Sequence, residues 1–100
     1  MMYVPLRAVP SQTLNVVLAG QNCKINVYQK SVGLFLDLLV DDAAIVTAAL
    51  CRDRVRIVRD AYLGFVGDLC FADTQGVVDP QYADLGARYQ LVYLEASDIT

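Results

Sequence analysis

The chain contains no histidine and no tryptophan, a single glutamate, two lysines and three prolines. Without histidine, the commonest general base and metal ligand is missing. Ser11, Ser31 and Ser97 have no imidazole to activate them, and neither Lys24 nor Lys30 sits in a recognisable Ser–Lys motif. Cys23, Cys51 and Cys70 are odd in number and widely spaced, with no C-x-x-C. They read as small buried hydrophobes of a reducing compartment rather than as a zinc or disulfide framework. Gly64-Phe65-Val66-Gly67 lacks the G-K-[ST] that a phosphate loop requires. The chain is therefore expected to be no enzyme, with no cofactor, no metal and no small-molecule substrate. An uncharged apolar run of about 20 residues, as a membrane helix needs, is also missing. The most apolar stretch, Leu34 to Cys51, is broken by Asp37, Asp41 and Asp42. Met1 to Pro10 has no continuous apolar core and carries two prolines, so neither a signal peptide nor a membrane contact is expected.

What is present is apolar. Of the 100 residues, 56% are hydrophobic, against about 45–50% in an average domain. Disorder is excluded, because disordered chains are poor in these residues and highly charged. One hundred residues suit a single domain spanning 1–100 with one core. Such a small domain leaves much of its surface open, and the apolar excess implies a partner that covers part of it. Eight basic against eleven acidic side chains give a net charge of -3. That balance argues against nucleic acid as the main partner. The acids are almost all aspartate, which favours turns, and fourteen valines favour strands.

Along the chain, Met2 to Val9 reads as an extended arm within residues 1–10, confined to an edge or lead-in strand by Pro5 and Pro10. Gln12 to Leu18 alternates, with Leu14, Val16 and Leu18 on one face, and reads as a half-buried strand. Ala19-Gly20-Gln21-Asn22 turns into a second strand, Cys23 to Lys30, to give a β-hairpin. Ser31-Val32-Gly33 turns again into Leu34 to Val40, and Asp41-Asp42 is the next turn. Ala43 to Leu50 mixes alanine with β-branched residues and, lying between strong strands, is expected to be a short strand. Arg52 to Val58 alternates and reads as another strand, closed by a turn at Tyr62-Leu63-Gly64. Phe65 to Ala72 and Arg88 to Ala96 are the last two, separated by a long loop over 73–87. Strands every ten to twelve residues predict an all-β fold, a small antiparallel sandwich or barrel of about six to eight strands with little helix.

Arg52, Arg54 and Arg56 stand at period two, with Arg59 just beyond, so one strand face would carry three guanidinium groups. That face suits an acidic protein surface or phosphates; the plainer alternative is a solvated face paired with Asp53 and Asp60. Asp73, Asp79 and Asp84 share the long loop without the calcium-loop spacing and read as turn formers. Asp37, alone within Leu34-Phe35-Leu36-Asp37-Leu38-Leu39-Val40, must face solvent or find an arginine. Phe35 and Leu39 lie opposite the Leu34-Leu36-Leu38 face, so this strand is apolar on both sides. Tyrosines such as Tyr28 have an amphipathic ring suited to a boundary or an interface. The candidate protein interface is therefore Arg52, Arg54, Arg56, Arg59, Phe35, Leu39 and Tyr28.

The order and spacing of several short segments resemble one known family. Val4-Pro5-Leu6, Val9-Pro10-Ser11-Gln12 and Val17-Leu18-Ala19-Gly20-Gln21 are similar to the opening of the phage baseplate plug family of contractile-tailed bacteriophages. Gly33-Leu34-Phe35-Leu36-Asp37-Leu38 and Ile45-Val46-Thr47 resemble its middle. Gly64-Phe65-Val66-Gly67-Asp68-Leu69, Asp79-Pro80-Gln81-Tyr82-Ala83-Asp84-Leu85-Gly86-Ala87-Arg88-Tyr89 and Val92-Tyr93-Leu94 resemble its end. The likeness spans nearly the whole chain. One departure concerns Ile45-Val46-Thr47, flanked here by Ala44 and Ala48 where the family pattern has proline and glycine. The resemblance implies a structural virion protein of the tail baseplate with no catalytic residues, assembled in the cytoplasm of the bacterial host. It implies a plug or central-hub position, packed against hub, tail-tube-end and spike proteins and against further copies of itself. The alternative reading is a small cytoplasmic β-sandwich protein-interaction module.

Overall fold

The computed structural model of the chain describes residues 2–59 and 65–95. The described residues form β1 (Met2–Val4), β2 (Ser11–Leu18), β3 (Gln21–Lys30), β4 (Gly33–Val40), β5 (Ala43–Leu50), β6 (Asp68–Asp73) and β7 (Tyr89–Leu94), with one 3-10 turn at Tyr82–Asp84. Strands β2-β3-β4-β5 make a four-stranded antiparallel meander, and β1-β7-β6 make a three-stranded antiparallel sheet. Neither sheet closes into a barrel, so of the two predicted all-β forms the chain adopts the sandwich.

The alternation in β2, β3 and β4 puts one face of each strand in the core. Cys23, Ile25 and Val27 of β3 and Leu34, Leu36 and Leu38 of β4 are buried, with Leu18 at the end of β2. Val4, Leu69, Phe71, Leu91 and Tyr93 of the smaller sheet join them in one hydrophobic cluster. Two of the hairpin turns use left-handed backbone. Ala19 and Gly20 have φ of 51° and 76°, and Asp41 and Asp42 have φ of 50° and 66°. Paired positive φ values match the right-handed twist of the flanking strands.

Ala43–Leu50 is a strand, as expected, but an irregular one. Leu36 faces Ala49 while Leu38 faces Val46, so Thr47 and Ala48 together stand opposite Asp37. Leu39 faces Ala44, leaving Ile45 as a second extra residue. These bulges let Ile45 and Val46, adjacent in sequence, both pack against the core.

Two expectations are corrected. Arg52–Val58 is not a strand: Arg54 has φ of 58°, and the segment touches the sheet only through an isolated bridge of Asp53 to Phe71 and scattered hydrogen bonds. Its alternation reflects exposed arginines around half-buried Asp53 and Val55, not a ladder. The strand expected from Phe65 begins instead at Asp68, because Gly67, at φ 91°, bends the chain first. The turn expected at Tyr62-Leu63-Gly64 lies outside the described residues, and the last strand, expected to run to Ala96, ends at Leu94.

Candidate protein interface

The outward face of the four-stranded sheet gathers three of the interface candidates. The register sets Tyr28 beside Phe35 and Phe35 beside Leu50, while Leu39 stands beside Lys24 and Ala44 on the same face. The rings of Tyr28 and Phe35 stack at 6.0 Å and 17°, and the Lys30 ammonium lies 5.6 Å from the Tyr28 ring centre. Phe35 and Leu39 are half-buried, whereas Leu34, Leu36 and Leu38 on the opposite face are fully buried. The strand is apolar on both sides, as its sequence reads.

Asp37 finds neither open solvent nor an arginine. It accepts hydrogen bonds from the Ala48 N–H (2.7 Å), the Tyr28 hydroxyl (3.0 Å) and the Asn26 amide (3.4 Å). Asn26 in turn accepts from the Thr13 hydroxyl at 2.8 Å, so a polar chain crosses all four strands on this face. Burial, and then the bond to the Asp37 carboxylate, push the Tyr28 phenol above its ordinary pKa. The bulge made this partner invisible in the sequence, because a regular register would have left the Ala48 N–H out of reach.

The arginines are exposed, but they do not act together. The Arg54 guanidinium turns back on its own chain, paired with Asp53 and donating to the Gly76 and Asp73 carbonyls at 3.1 Å each. It braces the long loop rather than a neighbour. Arg59 donates through Nε to the Arg56 carbonyl at 2.8 Å. Arg52 and Arg56 are exposed and form no ion pair with another described residue. The residue that shapes this segment is Asp68, which sequence reasoning missed. Its buried carboxylate accepts the N–H groups of Ile57, Val58, Arg59 and Leu69 at 2.7–3.2 Å. The signal was an aspartate directly after a glycine, inside an apolar stretch.

Of the loop aspartates, Asp73 makes a local turn. Asp73 accepts from the Gln75 and Val78 N–H groups and takes two bonds of 2.8 Å from Arg88. Those Arg88 bonds, helped by the two backbone donors and opposed by burial, hold its carboxyl well below the usual carboxylate range. Asp79 accepts from the Asp53 N–H at 3.0 Å. Among the described residues no cluster of cysteines and carboxylates is placed to hold a metal ion. The three cysteines carry free thiols. Burial raises all three, and Cys51 most, up to about 12, so none is poised as a nucleophile.

Segments that carry the family resemblance meet in space although they are far apart in sequence. The Gln21 side chain pairs with the backbone of Val66, accepting at 3.0 Å and donating at 3.2 Å. Nearer in sequence, the Gln12 side chain pairs with the backbone of Arg7, at 3.0 and 2.6 Å. Gly86 packs against the Leu6 carbonyl. A search of curated proteins returns no match for the chain. A family model described as cyanophage baseplate Pam3 plug gp18 matches residues 1–96. With that match over nearly its whole length, and with the motifs of the resemblance locked together in one two-sheet fold, the chain belongs to this family of phage baseplate plug proteins.

Proposed function

We propose that this chain is a plug component at the centre of the tail baseplate, packing against hub, tail-tube-end and spike proteins and catalysing nothing. The observation that carries the reading is the second apolar face of β4. A sandwich needs only one apolar face per sheet, yet Phe35, Leu39 and Leu50 place half-buried apolar area on the outward side. Exposed Val32, at 75%, and Val77, at 82%, add to the apolar surface. Apolar area on an outward sheet face marks contact with a neighbour. Arg52 and Arg56, exposed and unpaired with any described residue, supply the charge for a polar rim. Assembly takes place in the host cytoplasm, where the three thiols stay reduced.

Cryo-electron microscopy of the intact particle tests the reading. Density for this fold on the baseplate axis, with the Phe35–Leu39 face against another protein, is the expected result. A tail without this chain would sink it.

A further inference from the structure

The two sheets have four edges, and three of them are blunted. β5 carries two bulges. β1 is three residues long and runs into Pro5. β6 is covered by the arginine segment, whose Arg54 and Ile57 N–H groups donate to Phe71 and Leu69 at 2.7 and 2.8 Å. Bulges, brevity, proline and a covering loop are the usual means of keeping an edge from pairing with another chain.

β2 has none of them. It pairs with β3 without a register shift over all eight residues. Its sequence, Ser11-Gln12-Thr13-Leu14-Asn15-Val16-Val17-Leu18, contains no charged residue and no proline. The Gln29 N–H donates to Pro10 at 2.8 Å. In an antiparallel pair, bonded and non-bonded positions alternate. Gln12, Leu14, Val16 and Leu18 therefore bond to β3, and the N–H and C=O groups of Ser11, Thr13, Asn15 and Val17 point to the open edge. Among the described residues these groups have no backbone partner. Leu14 and Val16 are only partly buried on the core side of the same edge.

We infer that β2 is a self-pairing edge, which joins β2 of a second copy antiparallel about a two-fold axis at Leu14. The occupant is a second copy because β2 is the one long, regular, unpaired edge among the described residues, and its counterpart is its own image. The absence of charge removes the like-charge repulsion that would oppose such an image. The register follows from the bonding pattern. Ser11, Thr13, Asn15 and Val17 are symmetric about Leu14, so only that centre engages all four. Thr13 then bonds with Asn15 of the second copy, and Ser11 with Val17. Leu14 meets its own image at a non-bonded position, where Cβ atoms come within about 4.5–5.5 Å. The four-stranded sheet is doubled, and Leu14 and Val16 lose their remaining exposure. This pairing is independent of where the chain sits in a virion.

Sedimentation equilibrium of the purified chain is the test. The native chain is expected at twice its 11.0 kDa mass. Asn15→Pro removes a donor that β3 does not use, and proline is tolerated on an edge. This variant is expected to sediment as a monomer with an unchanged circular dichroism spectrum, and Asn15→Ala as a dimer. Leu14→Cys is expected to form a disulfide-linked dimer under mild oxidation, with the cross-link mapped to the substituted position in both copies, where the native chain forms none. A native monomer overturns the inference. So does a native-like Asn15→Pro variant that still associates, as a dimer or as a ring. If Asn15→Pro unfolds, the Leu14→Cys cross-link decides: its formation upholds the edge and its failure overturns it.

Discussion

The side-chain amide of Gln21 and the backbone of Val66 exchange two hydrogen bonds, as two residues of neighbouring strands would. Gln21 also donates to the Leu18 carbonyl at 3.0 Å, across the hairpin turn. One side chain thereby ties the β2–β3 hairpin to the bend that precedes β6. Gln21→Ala removes all three bonds and leaves the site exposed to water. It should cost about 0.5–1.5 kcal/mol in urea denaturation. Hydrogen exchange at the Val66 amide should quicken, while exchange at Ile25 changes only with global stability.

The same bend requires glycine at 67. A Cβ there would collide with the Leu94 carbonyl and lie 2.6 Å from the Tyr93 hydroxyl oxygen. Gly86, at φ 82°, is closed off in the same way by the Leu6 carbonyl. Gly20 has a comparable φ of 76° but open space around it. Gly20→Ala should therefore cost about 1–2 kcal/mol, the left-handed penalty alone. Gly67→Ala and Gly86→Ala should each cost about 1–3 kcal/mol more, from overpacking against backbone. Thermal melts of the three variants check the order, and equal losses would mean that φ, not space, sets the cost.

Ala48 stands in a conformation that suits another residue. Its φ of 52° lies in the region that favours glycine, the residue that the family resemblance implies beside Thr47. The strain is held by the bulge and by the Asp37 carboxylate on the Ala48 N–H. Ala48→Gly should therefore stabilise the chain by up to about 1 kcal/mol, less what glycine adds to unfolded-state entropy. Asp37→Ala should cost about 1–3 kcal/mol by leaving that N–H and the Tyr28 hydroxyl without their acceptor. Chemical denaturation of both variants reads the two signs.

How much of this was legible follows from the range of each interaction. β2, β3 and β4 bury alternate residues, so period-two alternation located them within a residue or two, and the outward places of Phe35, Leu39 and Tyr28 came with it. β5 was legible as a strand, but its bulges were not, because they depend on Asp37 reaching Ala48 from another strand. Arg52–Val58 alternated as a strand would, yet its backbone bonds go to the Asp68 carboxylate eleven residues from Ile57 and to scattered β6 carbonyls. Periodicity records which side chains face water and is silent on which group takes each N–H. Asp73 was legible as a turn former, whereas its pairing with Arg88 fifteen residues away was not.

The Asp73–Arg88 pair should make stability depend on acid. The folded carboxyl titrates below its ordinary value of 3.8, so the folded state favours the ionised form. The contribution is fully present above the unfolded value and is lost as the pH falls towards the depressed folded one. The urea midpoint should therefore drop as the pH goes from about 5 towards 2. Asp73→Asn should lower the midpoint at neutral pH and flatten this acid limb. A variant with the same limb as the native chain would show that other carboxylates carry the acid response.

The arginines separate into two roles that substitution can tell apart. Arg54 holds Asp53, Gly76 and Asp73 together, so Arg54→Ser should loosen the loop over 73–79 and lower the melting temperature. Arg52 and Arg56 hold no other described side chain by an ion pair, so their joint replacement by serine should leave stability within about 0.5 kcal/mol. If these two arginines rim a contact with a neighbouring baseplate protein, phage carrying the double replacement should yield fewer infectious particles despite a normally folded chain. Phe35→Ser with Leu39→Ser should do the same through the apolar centre of that contact, with a larger loss, because buried contact cores contribute more than rims. Unchanged yield from the arginine pair together with a loss from the apolar pair would confine the contact to the sheet face. Unchanged yield from both would leave the outward face without a partner.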